Sequence, residues 1–124
     1  MRVQLSRKKG WRLPEDTVSV ARPGRWGNPY DAREYGLDLA LRLFENTARG
    51  YWSPSNVQHL DDPTAETIYG LHCAWRKRFG NASPFELARL ILRGKNLACW
   101  CPLVDKDGKP VPCHADVLLR IANE

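Results

Sequence analysis

Short apolar runs rich in β-branched residues alternate along the chain with longer stretches of helical periodicity. The runs at 3–5, 17–21 and 96–101 are typical of strands, and the last is almost continuously apolar. Such a run is typical of a strand that is buried on both faces in a parallel sheet. Apolar positions recur at helical spacing in 34–49 and 64–79, which predicts two amphipathic helices between the second and third strands.

Two further helices are predicted from their start signals. The sequence Ser-Pro-Phe-Glu at 83–86 places serine at the N-cap, proline at the first helical position and glutamate three residues after the cap, which is a capping box. The last helix is predicted to begin near Cys113 and to bury Val117, Leu118 and Ile121. The order of two strands, three helices, a strand and a helix predicts one α/β domain over 1–124. We expect a small three-layer, Rossmann-like fold with a short, largely parallel sheet flanked by helices.

The positive charge lies at the start of the chain. The net charge is +5, and residues 1–33 hold eight Arg or Lys against three Asp or Glu, so the excess lies wholly in that segment. A basic segment suits a phosphate-bearing partner such as a nucleotide or nucleic acid. No apolar run approaches the roughly 20 residues of a membrane span, and the basic start lacks the apolar region of a signal peptide. We therefore expect a cytoplasmic protein, in which clustered cysteines favour metal binding or catalysis over disulfides.

A loop rich in glycine, proline and arginine follows the second predicted strand. This arginine loop, residues 21–30, must form tight turns because of its glycines and prolines. Loops at the carboxyl ends of strands form the ligand crevice of an open α/β sheet. The candidate ligand-binding residues all lie in this loop and are Arg22, Arg25, Trp26, Gly27 and Asn28. Arg22 would bind a phosphate and Trp26 would stack on a base, while the alternative is that Trp26 anchors the core.

Four residues able to bind metal or act as nucleophiles lie near the last strand and the last helix. Cys99 and Cys101 would point to the same face of a strand. Cys113 and His114 would lie at a helix N-terminus, where free N–H groups favour a thiolate. Three interpretations remain open. The four residues bind zinc as a tetrahedral set, or Cys101 or Cys113 acts as a catalytic thiol with His114, or the cysteines are small buried apolar residues.

These two clusters also carry a resemblance to a known family. The matching residues are Arg22, Trp26 to Pro29, Gly94-Lys95, Cys99-Trp100-Cys101 and Cys113-His114. In these motifs the chain resembles the family called domain of unknown function 4326, which occurs in bacteria and their phages. The resemblance covers nearly the whole chain. It implies no established activity, but it implies that both clusters belong to one site.

Three functional hypotheses follow from different classes. The leading one is a nucleotide or other phosphate-bearing ligand bound between the arginine loop and the cysteines, with catalysis left open. The second is a nucleic-acid-binding or interaction module with structural zinc, in which Arg7, Lys8, Lys9 and Arg12 would contact a phosphate backbone. The third is a phage or mobile-element accessory protein that binds a host protein through exposed aromatic residues at 51–52. The oligomeric state and the order of the strands do not follow from the sequence.

Overall fold

Three short parallel strands form the sheet of the computed structural model, which describes residues 1–124. The strands are β1 (Arg2–Gln4), β2 (Thr17–Ser19) and β3 (Asn96–Cys99). Their order is β1-β3-β2, and both outer strands pair with β3 in parallel. The central position of β3 explains its apolar sequence, because Leu97, Ala98 and Cys99 are all buried. The predicted parallel sheet is confirmed.

Five α-helices and one 3-10 helix complete the α/β fold. They are α1 (Ala32–Tyr35), α2 (Leu37–Arg49), the 3-10 helix Pro54–Asn56, α3 (Asp62–Lys77), α4 (Pro84–Ile91) and α5 (His114–Ala122). The helix start at Ser83 is confirmed, because its hydroxyl accepts a hydrogen bond from the Glu86 N–H at 3.3 Å. The single helix predicted over 34–49 is instead two helices, since Gly36, with a φ of 85°, separates α1 from α2. None of the helices combines the length and apolar character that crossing a membrane requires.

The aromatic core holds the arginine loop against α3. Trp26 is only 5% exposed, and its ring centroid lies 6.5 Å from that of Trp75 and 4.9 Å from that of Phe79. The Trp75 Nε1–H donates a hydrogen bond to the Gly27 carbonyl at 3.0 Å. Phe44 on α2 contacts Trp75 edge to face, with the ring centroids 5.5 Å apart. These contacts hold the loop after β2 in one position against α3.

The carboxyl ends of the parallel strands place three chain segments at one edge of the sheet. The arginine loop follows β2, and Trp100 and Cys101 follow β3. A mostly exposed loop follows over 102–112, in which Val104 and Pro110 form an antiparallel bridge. This turn brings the chain back to the sheet edge, so Cys113 lies beside the end of β3.

Candidate metal and ligand site

A pocket of about 200 Å³ opens at this edge of the sheet. The predicted site residues that line it are Arg22, Asn28, Cys99, Cys101, Cys113 and His114. They come from the loop after β2, the end of β3 and the start of α5. The structure thus brings residues of both sequence clusters together around one pocket.

Three cysteine sulfurs converge in the lining of this pocket and form what we call the three-cysteine cluster. The Sγ atoms of Cys99, Cys101 and Cys113 all lie within 4.8 Å of one another, and those of Cys99 and Cys113 are 3.0 Å apart. All three are free thiols. β3 ends at Cys99, two residues before the apolar run does, so the predicted strand position of Cys101 is wrong. The turn after β3, and not strand alternation, brings Cys101 to the cluster.

The three thiols differ in the direction in which their pKa values are shifted. Interaction with the thiols of Cys113 and Cys99 is the main cause that lowers the pKa of Cys101 to about 2, and the charge of Arg2 acts in the same direction. Interaction with Cys101 is the main cause that raises the pKa of Cys99 and also that of Cys113. At neutral pH the cluster therefore carries one thiolate, on Cys101. Cys101 is also the only half-buried member, whereas the other two are buried.

The imidazole of His114 is oriented by a backbone carbonyl. Its Nε2 lies 2.7 Å from the Val20 carbonyl oxygen, and a carbonyl only accepts, so Nε2 carries the proton. The Nδ1 lone pair therefore faces the Cys113 sulfur at 3.5 Å. Burial is the main cause that lowers the pKa of His114, so the ring is neutral at pH 7. This arrangement, one nitrogen donating to a carbonyl and the other free, is typical of a histidine prepared to ligate a metal.

A half-buried ion pair holds the backbone of Cys113 in place. The Cys113 backbone N–H donates to Asp116 Oδ2 at 2.9 Å, as in the second half of a capping box. The same carboxylate oxygen pairs with Arg2 Nη1 at 3.1 Å, and only 8% of the Arg2 side chain is exposed. Arg2 Nη2 donates to the Pro102 carbonyl at 3.0 Å. Sequence reasoning missed this network, although the acidic residue three positions after the helix N-cap was a usable signal.

Arg22 and Asn28 are the two residues of the arginine loop that line the pocket. Arg22 is exposed and has no ion pair or side-chain hydrogen bond within the protein. Asn28 Oδ1 accepts a hydrogen bond from the Tyr30 N–H at 2.9 Å, which leaves the Asn28 NH₂ group free to donate to a ligand. Gly27 acts indirectly, because a Cβ there would lie 2.6 Å from Arg22 Cγ. The absence of a side chain at Gly27 therefore permits the position of Arg22.

Arg25 and Trp26 lie outside the pocket, which corrects their predicted roles. The Trp26 indole is buried against Trp75 and Phe79, so its faces are not available for stacking on a base. The Arg25 guanidinium lies over the rings of Trp26 and Phe79, at 5.6 and 5.5 Å from their centroids. The turns of the loop direct these two side chains toward α3, and the core-anchor interpretation of Trp26 is the one that the structure supports.

Trp100 is the tryptophan that does line the pocket. It is 45% exposed and borders the cavity between Cys99 and Cys101. The Arg7 guanidinium lies over its ring, 4.8 Å from the centroid, a cation–π contact. Through Arg7 the basic N-terminal segment therefore contacts a residue of the pocket lining. The signal in the sequence was the position of Trp100 between two cysteines.

The donor set of the three-cysteine cluster suits a soft divalent ion. Zinc–sulfur bonds of about 2.3 Å in a tetrahedral site place the sulfurs about 3.8 Å apart. The sulfurs of the cluster lie within 4.8 Å of one another, so small side-chain shifts would reach that spacing. His114 does not belong to this group of mutually close atoms, although its Nδ1 lies 3.5 Å from the Cys113 sulfur. Three of the four predicted metal ligands are thus brought together, and the fourth is adjacent.

Fold and site together define a small α/β protein with a cysteine-lined pocket at the carboxyl edge of a parallel sheet. The chain belongs to the family described as domain of unknown function (DUF4326), whose model matches residues 3–124. The family assignment made from the motifs is therefore confirmed. Comparisons with curated proteins and with solved structures give no match.

Proposed function

We propose that this protein binds a soft divalent metal ion, zinc in the first instance, through Cys99, Cys101 and Cys113, beside a pocket for a small anionic ligand. The supporting observation is the convergence to within 4.8 Å of three sulfurs, two from the end of β3 and the turn after it and one from the start of α5. Cysteines that only fill apolar space behave as small apolar residues, and such packing does not require their sulfurs to lie together. Thiolates are also the ligands that zinc and other soft ions prefer.

The residues around the cluster have distinct roles in this proposal. A bound zinc ion would stabilise thiolate ligands and, at an open coordination position, polarise an oxygen of the ligand. Arg22 would neutralise the negative charge of the ligand, and the Asn28 amide would donate a hydrogen bond to it. His114 holds an unprotonated Nδ1 beside the cluster, available as a fourth ligand or as a proton acceptor.

The nucleotide or phosphate-bearing ligand predicted from the sequence stays a prediction, and the pocket restricts its form. A cavity of about 200 Å³ is smaller than the roughly 300–1,000 Å³ of typical small-molecule sites. A phosphate or carboxylate with one ring would fit inside, whereas the remainder of a whole nucleotide would extend past Trp100 into solvent. Arg22 supports the anionic part of the prediction, because the protein itself leaves its charge unpaired.

Cobalt substitution tests the metal proposal directly. Reduced, metal-free protein would be titrated with Co²⁺, whose thiolate complexes absorb strongly in the near ultraviolet by charge transfer. We expect a saturable band that Cys113→Ser weakens and that zinc displaces. Cys73→Ser is the matched control, because Cys73 lies in α3, outside the cluster. A titration without a thiolate band in the wild-type protein would remove the proposal.

Thiol chemistry at Cys101 is a second candidate function. The lowered pKa of Cys101 makes it a thiolate at neutral pH, and the thiolate is the nucleophilic form of cysteine. It lines the pocket, within reach of a bound ligand. In this case the purified protein would contain no metal and would react with one equivalent of iodoacetamide at Cys101. A metal-bound cluster would instead be protected from alkylation.

The nucleic-acid alternative rests on the exposed basic side chains at 7–9 and on Arg12. It predicts binding that weakens steeply with salt, and an unchanged mobility in gel shifts at low salt would exclude it. Occurrence in bacteria and phages and location in the cytoplasm stay predictions.

A further inference from the structure

We propose that the pocket takes a ligand with one planar ring that carries a single anionic group, with Trp100 against the ring and Arg22 on the anion. This proposal names the ligand class for the pocket and rests on the proposed function only in treating that pocket as a ligand site. Neither Trp100 nor Arg22 is a candidate metal ligand. The two proposals can therefore fail separately.

The size and chemistry of the lining set the scale of the ligand. An apolar cavity of roughly 150 Å³ holds benzene, so about 200 Å³ accommodates one six-membered ring and a small substituent. Outside the two clusters, much of the lining is apolar and includes Ala32, Leu37, Ala40, Leu41 and Pro112. Such a lining disfavours a ligand with many hydroxyl groups, because it offers few hydrogen-bond partners for them.

Trp100 supplies the contact for a flat ring. Tryptophan is highly buried on average, yet Trp100 is 45% exposed and is also one of the residues that line the pocket. Arg7 covers one face of the indole at 4.8 Å and restrains it. A ligand ring that enters the pocket would contact the indole from the pocket side, and aromatic stacking on tryptophan is favourable for any planar ring.

Arg22 supplies the contact for the anion. Arg2, the other arginine close to the cluster, is already paired with Asp116. The charge of Arg22 acts on Asp31, but the Asp31 carboxylate is paired with Arg33 at 3.2 Å. Arg22 is thus the one cation in the lining whose charge the protein leaves unpaired. Cys101 also lines the pocket, and a bound metal ion would offset the negative charge of its thiolate.

Four small probes separate the ring from the charge. Binding of benzoate, benzamide, cyclohexanecarboxylate and acetate would be measured by ligand-observed NMR on protein of known zinc content. Benzamide keeps the ring without the charge, cyclohexanecarboxylate keeps the charge without the flat face, and acetate has no ring. We expect benzoate to bind about tenfold or more tightly than each of the other three. Benzoate binding no tighter than acetate would overturn the proposal.

Variants then assign the two contacts. Arg22→Gln should abolish the preference for benzoate over benzamide, whereas Arg25→Gln, in the same loop but outside the pocket, should preserve it. Trp100→Leu should abolish the preference for benzoate over cyclohexanecarboxylate, and Trp100→Phe should retain most of it. An equal loss in Arg22→Gln and Arg25→Gln would overturn the assignment. Absence of benzoate binding at full zinc content refutes the ligand class alone, and benzoate binding without any metal uptake refutes the metal site alone.

Discussion

Gly27 controls the path of the arginine loop, and Gly27→Ala would test this. The added Cβ would lie 2.6 Å from Arg22 Cγ, 2.9 Å from Arg22 Cα and 3.0 Å from Arg22 N. Two of these three atoms belong to the backbone, so rotation of the Arg22 side chain cannot relieve the overlap. The loop must shift, although the Gly27 carbonyl is held by the Trp75 indole at 3.0 Å. Overpacking of this kind costs about 1–3 kcal/mol.

For a chain of 124 residues, that cost corresponds to a fall in Tm of roughly 4–12 °C. Thermal unfolding followed by circular dichroism would measure it. Gly70→Ala provides the matched control, because Gly70 lies in α3 and an added Cβ there meets no atom within 4 Å. Alanine in a helix should stabilise the protein by about 1 kcal/mol, so the same chemical change should have opposite signs at the two positions. An unchanged Tm in Gly27→Ala would refute the proposed role of Gly27.

Three further changes have defined outcomes. The Thr47 hydroxyl lies 2.7 Å from the Tyr30 hydroxyl and 2.9 Å from His72 Nδ1, so Thr47→Val should lower the free energy of unfolding by about 2–4 kcal/mol in urea denaturation. Burial is the main cause that lowers the pKa of His72 and of His114. The unfolded state therefore binds more protons, and Tm should fall as pH drops from about 7 to about 5; a flat profile would contradict this. Since the pKa of Cys101 is lowered to about 2, its alkylation in metal-free protein should proceed at a constant rate between about pH 6 and 9, whereas an unperturbed thiol reacts about tenfold faster per pH unit below its pKa.

The main elements of the fold were predictable because each has a local cause. The apolar sequence of β3 reflects its central place in the sheet, and Ser83 starts α4 through a hydrogen bond within four residues. The order of the strands was not predictable. It depends on the pairing of β1 and β2 with β3, which lies far along the chain from both. No local pattern encodes that choice.

The site was predictable in its location but not in every side chain. Both clusters follow the carboxyl ends of parallel strands, and in such sheets these ends meet at one edge. The direction of each side chain depends on distant partners, which is why the stacking role predicted for Trp26 was wrong. Its indole is turned inward by Trp75 and Phe79 on α3, and Trp100 lines the pocket instead. The Arg2–Asp116 pair joins the two ends of the chain, and only the cap position of Asp116 has a local signal.

Zinc stoichiometry of the reduced protein is the most direct test of the central proposal. Wild-type protein, Cys113→Ser and Cys73→Ser would be loaded with zinc, passed through gel filtration and analysed by inductively coupled plasma mass spectrometry, with folding checked by circular dichroism. We expect about one zinc per chain in the wild type and in Cys73→Ser. We expect a marked loss of zinc in Cys113→Ser, because Cys113 belongs to the three-cysteine cluster and Cys73 does not. Wild-type protein that retains no zinc, or an equal loss in both variants, would contradict the proposal.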